Sequence, residues 1–180
     1  KKESAKPLAA NGSFSYGTYN TLRAGGGING TYQKLGYRVQ YNYQNSDGFS
    51  NAYDSTGNKG FDKDGFSQNS LQAELKYKFS DLFNIKLLGT FGDYHFGLDQ
   101  GAFTDDKDYG GKNVNNMGAV YLNYHKKGLT WNTLASYQKA KRYFTDDSAD
   151  RSSPYAYYSH GDYLSGNINA ESYGNIQIGR

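Results

Sequence analysis

The chain has 180 residues, of which 36% are hydrophobic and 17% aromatic, and a formal net charge of +3. The aromatic content argues against disorder, because disordered chains are poor in aromatic residues. The absence of cysteine excludes a disulfide framework and a thiolate zinc site. No Lys/Arg cluster is long enough to indicate nucleic-acid binding, and no apolar run reaches the roughly 18 residues of a membrane helix.

Apolar and polar residues alternate with a period of two along much of the chain, which indicates strands with one apolar and one polar face. One such series is Tyr37, Val39, Tyr41 and Tyr43, and others lie at 22–32, 71–79, 131–137 and 164–170. We expect eight strands and the start of a ninth, at 12–19, 21–32, 37–45, 68–79, 84–95, 115–125, 129–140, 163–172 and 176 onward.

The predicted connections alternate in length. Four are short, at 33–36, 80–83, 126–128 and 172–175, whereas three are long and polar, at 46–67, 96–114 and 141–162. Outer-membrane barrels have short turns at one end and long loops at the other, and a polar lumen would explain the mean hydropathy of −0.87. The pattern predicts an all-β fold, an antiparallel transmembrane β-barrel, with a soluble meander as the alternative.

Aromatic residues also fit a barrel. Membrane barrels carry girdles of aromatic side chains at both interfaces. The predicted short turns are flanked by several of them, namely Tyr32, Tyr37, Tyr77, Phe79 and Tyr124.

Several motifs do not point to catalysis or to a cofactor. The glycines of GGGING, Gly25 to Gly30, match a dinucleotide-binding spacing, but they lie inside a predicted strand with no helical period after it. His95, His125 and His160 fall on separate segments, whereas zinc or haem ligation needs converging partners. We therefore expect no enzymatic activity.

The long connections are rich in aspartate. The stretch FDKDGF places Asp62 and Asp64 on one side of an extended segment, and the next long connection carries Asp99, Asp105, Asp106 and Asp108. If adjacent connections lie side by side, these carboxylates converge. Ca²⁺ is held by six to eight oxygens, which come from carboxylates, carbonyls and water. On spacing alone, a calcium site and a solvated acidic loop both remain open.

Asp62, Asp64, Gly65 and Phe66 form a D-x-D-G-F pattern. The predicted strand that follows this pattern ends in Phe79-Ser80-Asp81. This segment, with GTFGDYHFGLDQ and ASYQKAKRYFTDD further on, resembles the TonB-dependent outer-membrane receptors, and among them the cobalamin receptors. The resemblance covers nearly the whole chain.

The resemblance implies a 22-stranded barrel filled by an N-terminal plug domain. Residues 1–11 would follow the plug, which lies outside this sequence, and 12–180 would form the first eight or nine strands. The implied function is active import of cobalamin or a similar bulky nutrient across the bacterial outer membrane. The implied partners are outer-membrane lipid, the TonB complex through the plug, and the nutrient, with room for a surface lipoprotein and no nucleic acid.

The resemblance also implies a calcium site in which aspartates of two neighbouring outer loops order those loops for substrate. Asp62 and Asp64 match the family's D-x-D pair, and Asp99 matches the aspartate of the next loop. A further family aspartate falls near Ser50, for which Asp54 could substitute. Substrate-binding residues are expected in 46–67, 96–114 and 141–162. The alternatives are a siderophore or haem receptor, a passive porin-like barrel and a soluble calcium-dependent carbohydrate-binding domain.

Overall fold

A computed structural model describes residues 7–57, 60–147, 149 and 158–178. These residues form one antiparallel sheet of eight strands in sequential order. The described part contains no helix long and apolar enough to cross a membrane. The strands are β1 (Ala9–Gly17), β2 (Thr21–Tyr32), β3 (Leu35–Phe49), β4 (Asp64–Lys78), β5 (Phe83–Gly97), β6 (Tyr109–Lys126), β7 (Leu129–Asp146) and β8 (Ser159–Ile176).

The pairing register places every predicted apolar series on the same face of the sheet. Starting in β2, Ile28 lies opposite Val39, and Val39 lies opposite Ala73. The same row continues across β5 to β8 through Gly89, Gly118, Tyr137 and Ile168. We call this side the apolar face and the opposite side the polar face. The predicted alternation of apolar and polar residues along the strands is therefore confirmed.

The apolar face is not covered by a second layer of described residues. Leu75 is 46% exposed and Ile168 is 78% exposed. Within the described ranges, the buried hydrophobic residues are Ala52 and Ala119. Monomeric soluble proteins rarely leave a contiguous apolar surface of this extent in water, so this face requires an apolar neighbour.

Aromatic side chains gather on the apolar face where the short connections lie. The rings of Tyr77 and Phe79 are 4.8 Å apart, and those of Phe79 and Phe83 are 5.4 Å apart. Tyr124 lies opposite Trp131 in the β6–β7 pairing. An aromatic band therefore crosses at least four strands at this end, which we call the turn end.

Connections 33–34, 79–82 and 127–128 lie at the turn end. Connections 18–20, 50–63 and 98–108, the end of β7 and the start of β8 lie at the opposite, loop end. The expected alternation of short and long connections holds from β2 to β7, and β3 to β8 extend further toward the loop end than predicted. Of the predicted long connection 141–162, residues 148 and 150–157 lie outside the described residues. The start of β6 contains residues of low strand propensity, namely Gly110, Gly111 and Asn113. They nevertheless pair with residues of β7, so pairing between the strands outweighs the low strand propensity of these residues.

The prediction of a turn at 172–175 and of a ninth strand from 176 is wrong. β8 runs without a break to Ile176, which pairs with Leu129. Gly174 lies opposite Trp131, and an added Cβ there would come within 2.6 Å of the indole ring. This glycine makes room for a neighbouring side chain and does not mark a turn.

The β3–β4 ladder contains a bulge at the loop end. Ser46 pairs with Phe66, but the next pairing joins Phe49 to Asp64, so β3 has an excess residue there. Gly48 lies in the bulge with φ +67°, and an added Cβ would collide with the carbonyl oxygen of Asp64. The bulge therefore depends on glycine and sets the position of Asp64.

We predict that Gly48→Ala destabilises the protein by about 1–3 kcal/mol, because alanine adds a strained φ and a backbone collision. Guanidinium unfolding followed by Trp131 fluorescence measures the change. The matched control is Gly89→Ala, since a Cβ at Gly89 meets nothing within 4 Å. An equal loss of stability in both variants would contradict the role of the bulge.

Candidate metal centre

Two long connections lie side by side at the loop end because their strands are neighbours. β4 pairs with β5, with Phe66 opposite Phe96. The Tyr53 N–H donates to the Ala102 carbonyl at 2.7 Å, which joins connection 50–63 to connection 98–108. The rings of Tyr53 and Phe103 also meet edge to face, with centroids 6.3 Å apart. Carboxylates of both connections are thereby brought into one region.

Three of these carboxylates form a compact group. Asp62, Asp99 and Asp105 each offer an oxygen, and these oxygens lie within 4.8 Å of one another. The Asp62 N–H donates to Asp105 Oδ1 at 3.0 Å. Asp64 lies beside these three: its Oδ2 accepts the Asn51 N–H at 2.6 Å, and its charge interacts with those of Asp99 and Asp62. The predicted residues Asp62, Asp64 and Asp99 therefore lie together, and we call them and Asp105 the first carboxylate group.

Asp99 links the two connections. Its Oδ2 accepts the Ala52 N–H at 2.5 Å and the Ser50 hydroxyl at 3.1 Å. Its Oδ1 accepts the Asp106 N–H at 3.0 Å. One side chain thus satisfies donors on both connections and holds them in contact.

The structure does not place Asp54 in this group. Asp54 Oδ1 accepts the Thr56 N–H at 3.0 Å and the Gly57 N–H at 2.9 Å, and so closes a local turn. Ser50, where the family pattern has an aspartate, instead touches Asp99 through its hydroxyl. The fourth carboxylate of the group is Asp105, one of the aspartates expected to converge from connection 98–108, although it was not among the residues matched to the family.

The negative charges of the first carboxylate group repel one another. Burial, together with the neighbouring carboxylates of Asp105 and Asp99, raises the pKa of Asp62 to about 6, whereas Lys107 acts in the opposite direction. Asp62 Oδ1 is buried and has no hydrogen-bond partner. Clustered carboxylate oxygens with unused acceptor capacity suit a hard divalent cation such as Ca²⁺. The described groups able to hold a metal consist of aspartates alone.

The histidines do not contribute to this centre. His95 pairs with Asp93 at 2.9 Å, and His160 pairs with Asp162 at 3.0 Å. His125 lies near the turn end, with its Nδ1 2.9 Å from the Thr130 hydroxyl oxygen. Each is engaged locally on its own strand or with a neighbouring strand.

Comparison with known proteins adds no functional information. No protein-family model matches the chain, and no curated protein is significantly similar to it. The functional interpretation therefore depends on the sheet and on the carboxylates at its loop end.

We predict that Asp99→Ala loosens both connections even in metal-free buffer. A hydrogen bond to a charged group contributes about 1.5–3 kcal/mol, so the backbone amides of Ala52 and Asp106 should exchange roughly 10- to 100-fold faster in hydrogen–deuterium exchange. The control is Asp54→Ala, which should accelerate exchange at Thr56 and Gly57 alone. Unchanged exchange at Ala52 in Asp99→Ala would contradict the linking role.

Proposed function

We propose that the chain is the N-terminal part of the barrel of an outer-membrane active-transport receptor of the TonB-dependent class. The receptor would capture a scarce, bulky nutrient, cobalamin or a similar ligand, at the cell surface and import it without bond chemistry. The energy would come from the TonB system through a plug domain. The observation that carries the proposal is the meeting of Asp62 and Asp99, from two connections, with Asp64 at the start of β4, at one end of a sheet with an exposed apolar face.

The sheet supports the membrane part of the proposal. Strands of 15 residues, such as β4 and β5, are about 50 Å long, which exceeds the apolar band of a membrane barrel of about 25 Å. The apolar face would contact lipid and the aromatic band would lie at one interface. The polar face, with Glu74, Lys76 and Lys86, would line the lumen. β1 and β8, the two edge strands of the described sheet, would pair with further strands.

The first carboxylate group supports the calcium part. Without a cation, the clustered negative charges repel one another and the connections are held less firmly. A bound Ca²⁺ would neutralise this repulsion and join connection 50–63 to connection 98–108. The surface offered to substrate would then be ordered before the substrate arrives, which reduces the entropy cost of binding.

We predict that Ca²⁺ raises the affinity for cyanocobalamin on the order of tenfold or more, because ordering each loop residue costs about 1–2 kcal/mol. Asp62→Asn/Asp64→Asn should abolish this gain. The measurement is equilibrium binding of labelled cyanocobalamin to the complete receptor, with Ca²⁺ or with a chelator.

The control for this experiment is Asp54→Asn, which should keep the response to Ca²⁺ because Asp54 closes a local turn. An unchanged response in Asp62→Asn/Asp64→Asn would refute the calcium role. Calcium binding without cobalamin binding would favour the siderophore or haem alternative.

We also predict that an introduced charge destabilises the fold far more on the apolar face than on the polar face. Leu87 belongs to the apolar face, whereas the adjacent Leu88 lies on the polar face opposite Glu74. Leu87→Arg should cost about 2–4 kcal/mol for folding in lipid vesicles, as charges on the lipid side of barrels do. The control Leu88→Arg should cost far less. Equal costs in a denaturant titration monitored by Trp131 fluorescence would contradict a lipid-facing apolar side.

A further inference from the structure

A second group of carboxylates lies beside the first and draws on a different strand. Asp106, Asp108 and Asp146 each offer an oxygen, and these oxygens lie within 4.8 Å of one another. Asp106 and Asp108 end the connection between β5 and β6, and Asp146 is the last residue of β7. They meet because Asp146 pairs with Tyr109, the first residue of β6.

Two carboxylates of this group are almost inaccessible to solvent. Asp106 is 2% exposed and Asp146 is 3% exposed. Asp146 Oδ2 accepts the Gln100 side-chain N–H at 2.5 Å, but Asp146 Oδ1 is buried and has no hydrogen-bond partner. An unsatisfied buried carboxylate oxygen is costly. Its position in the group points to a ligand that would complete its coordination.

The chemistry of the group selects the ligand. The oxygens of Asp106, Asp108 and Asp146 lie within 4.8 Å of one another, so their negative charges repel strongly. Repulsion among buried carboxylates is relieved by a shared proton or by a cation. Three carboxylates without nitrogen or sulfur ligands suit a hard divalent cation, and Ca²⁺ tolerates irregular geometry and completes its shell with carbonyls and water.

We propose that Asp106, Asp108 and Asp146 form a second divalent-cation site that binds Ca²⁺ and is distinct from the first carboxylate group. A cation there would join connection 98–108 to the end of β7. The consecutive residues Asp105 and Asp106 belong to different carboxylate groups. Cations at both groups would therefore join connection 98–108 to connection 50–63 on one side and to the end of β7 on the other. The proposal does not depend on transport or on the identity of the substrate.

The test is calorimetric titration of CaCl₂ into the complete, chelator-treated protein in detergent micelles. The wild type should bind Ca²⁺ in two classes of site. Asp146→Asn should weaken one class at least tenfold and leave the other within about twofold, because it removes one anionic ligand. Asp62→Asn/Asp99→Asn should remove the other class. The retained class in each variant reports that the protein is folded.

The matched control is Asp147→Asn, which neutralises the exposed neighbour of Asp146 and should titrate as the wild type. Asp108→Asn, outside the strands, provides the same test if Asp146→Asn does not fold. The proposal is overturned if both Asp146→Asn and Asp108→Asn bind as the wild type. It is also overturned if the wild type binds one class that Asp62→Asn/Asp99→Asn abolishes, a result that would leave the proposed function intact.

Discussion

The unbroken antiparallel register is the constraint on which the rest of the structure depends. Side chains alternate between faces, so a slip of one residue in any pairing would move a strand's apolar series to the polar face. The described pairings keep one row from Ile28 in β2 to Ile168 in β8. Their register shifts in one place, between Ser46 and Phe49. That bulge lies at the loop end, beyond the apolar series of β3 and β4. The shift therefore leaves the side chains of those series on the apolar face.

The same register creates the conditions for cation binding. Pairing fixes where each strand ends, so Asp64 at the start of β4 and Asp146 at the end of β7 are held by the sheet itself. Asp62, Asp99 and Asp105 lie in the connections, where hydrogen bonds such as Ala52 N–H to Asp99 act against electrostatic repulsion. A rigid frame thus presents carboxylates whose mutual repulsion only an added positive charge can fully offset.

The sequence predicts the sheet better than it predicts the site. Period-two alternation identifies the strands because successive residues of a strand face opposite sides of the sheet, and the two sides meet different environments. Glycine is ambiguous in this scheme, since Gly48 shapes a bulge whereas Gly174 makes room for an indole ring. The meeting of Asp62 with Asp99 follows from adjacent loops, but the sorting of Asp105 into one group and Asp106 into the other depends on the path of connection 98–108, which no local pattern encodes.

Connection 98–108 carries ligands of both carboxylate groups, so cations at the two sites would influence each other. Two divalent cations about 10 Å apart repel by about 7 kcal/mol at the effective dielectric constant of about 20 found near a protein surface, before salt screening reduces the repulsion. Fixing the backbone of a single residue costs about 1–2 kcal/mol, and a cation at the first group would fix several residues that the second group also needs. The shared ordering favours the second cation and the repulsion opposes it by a similar amount, so the two effects largely cancel. Although Asp105 and Asp106 are consecutive, each site would therefore bind its cation nearly independently of the other.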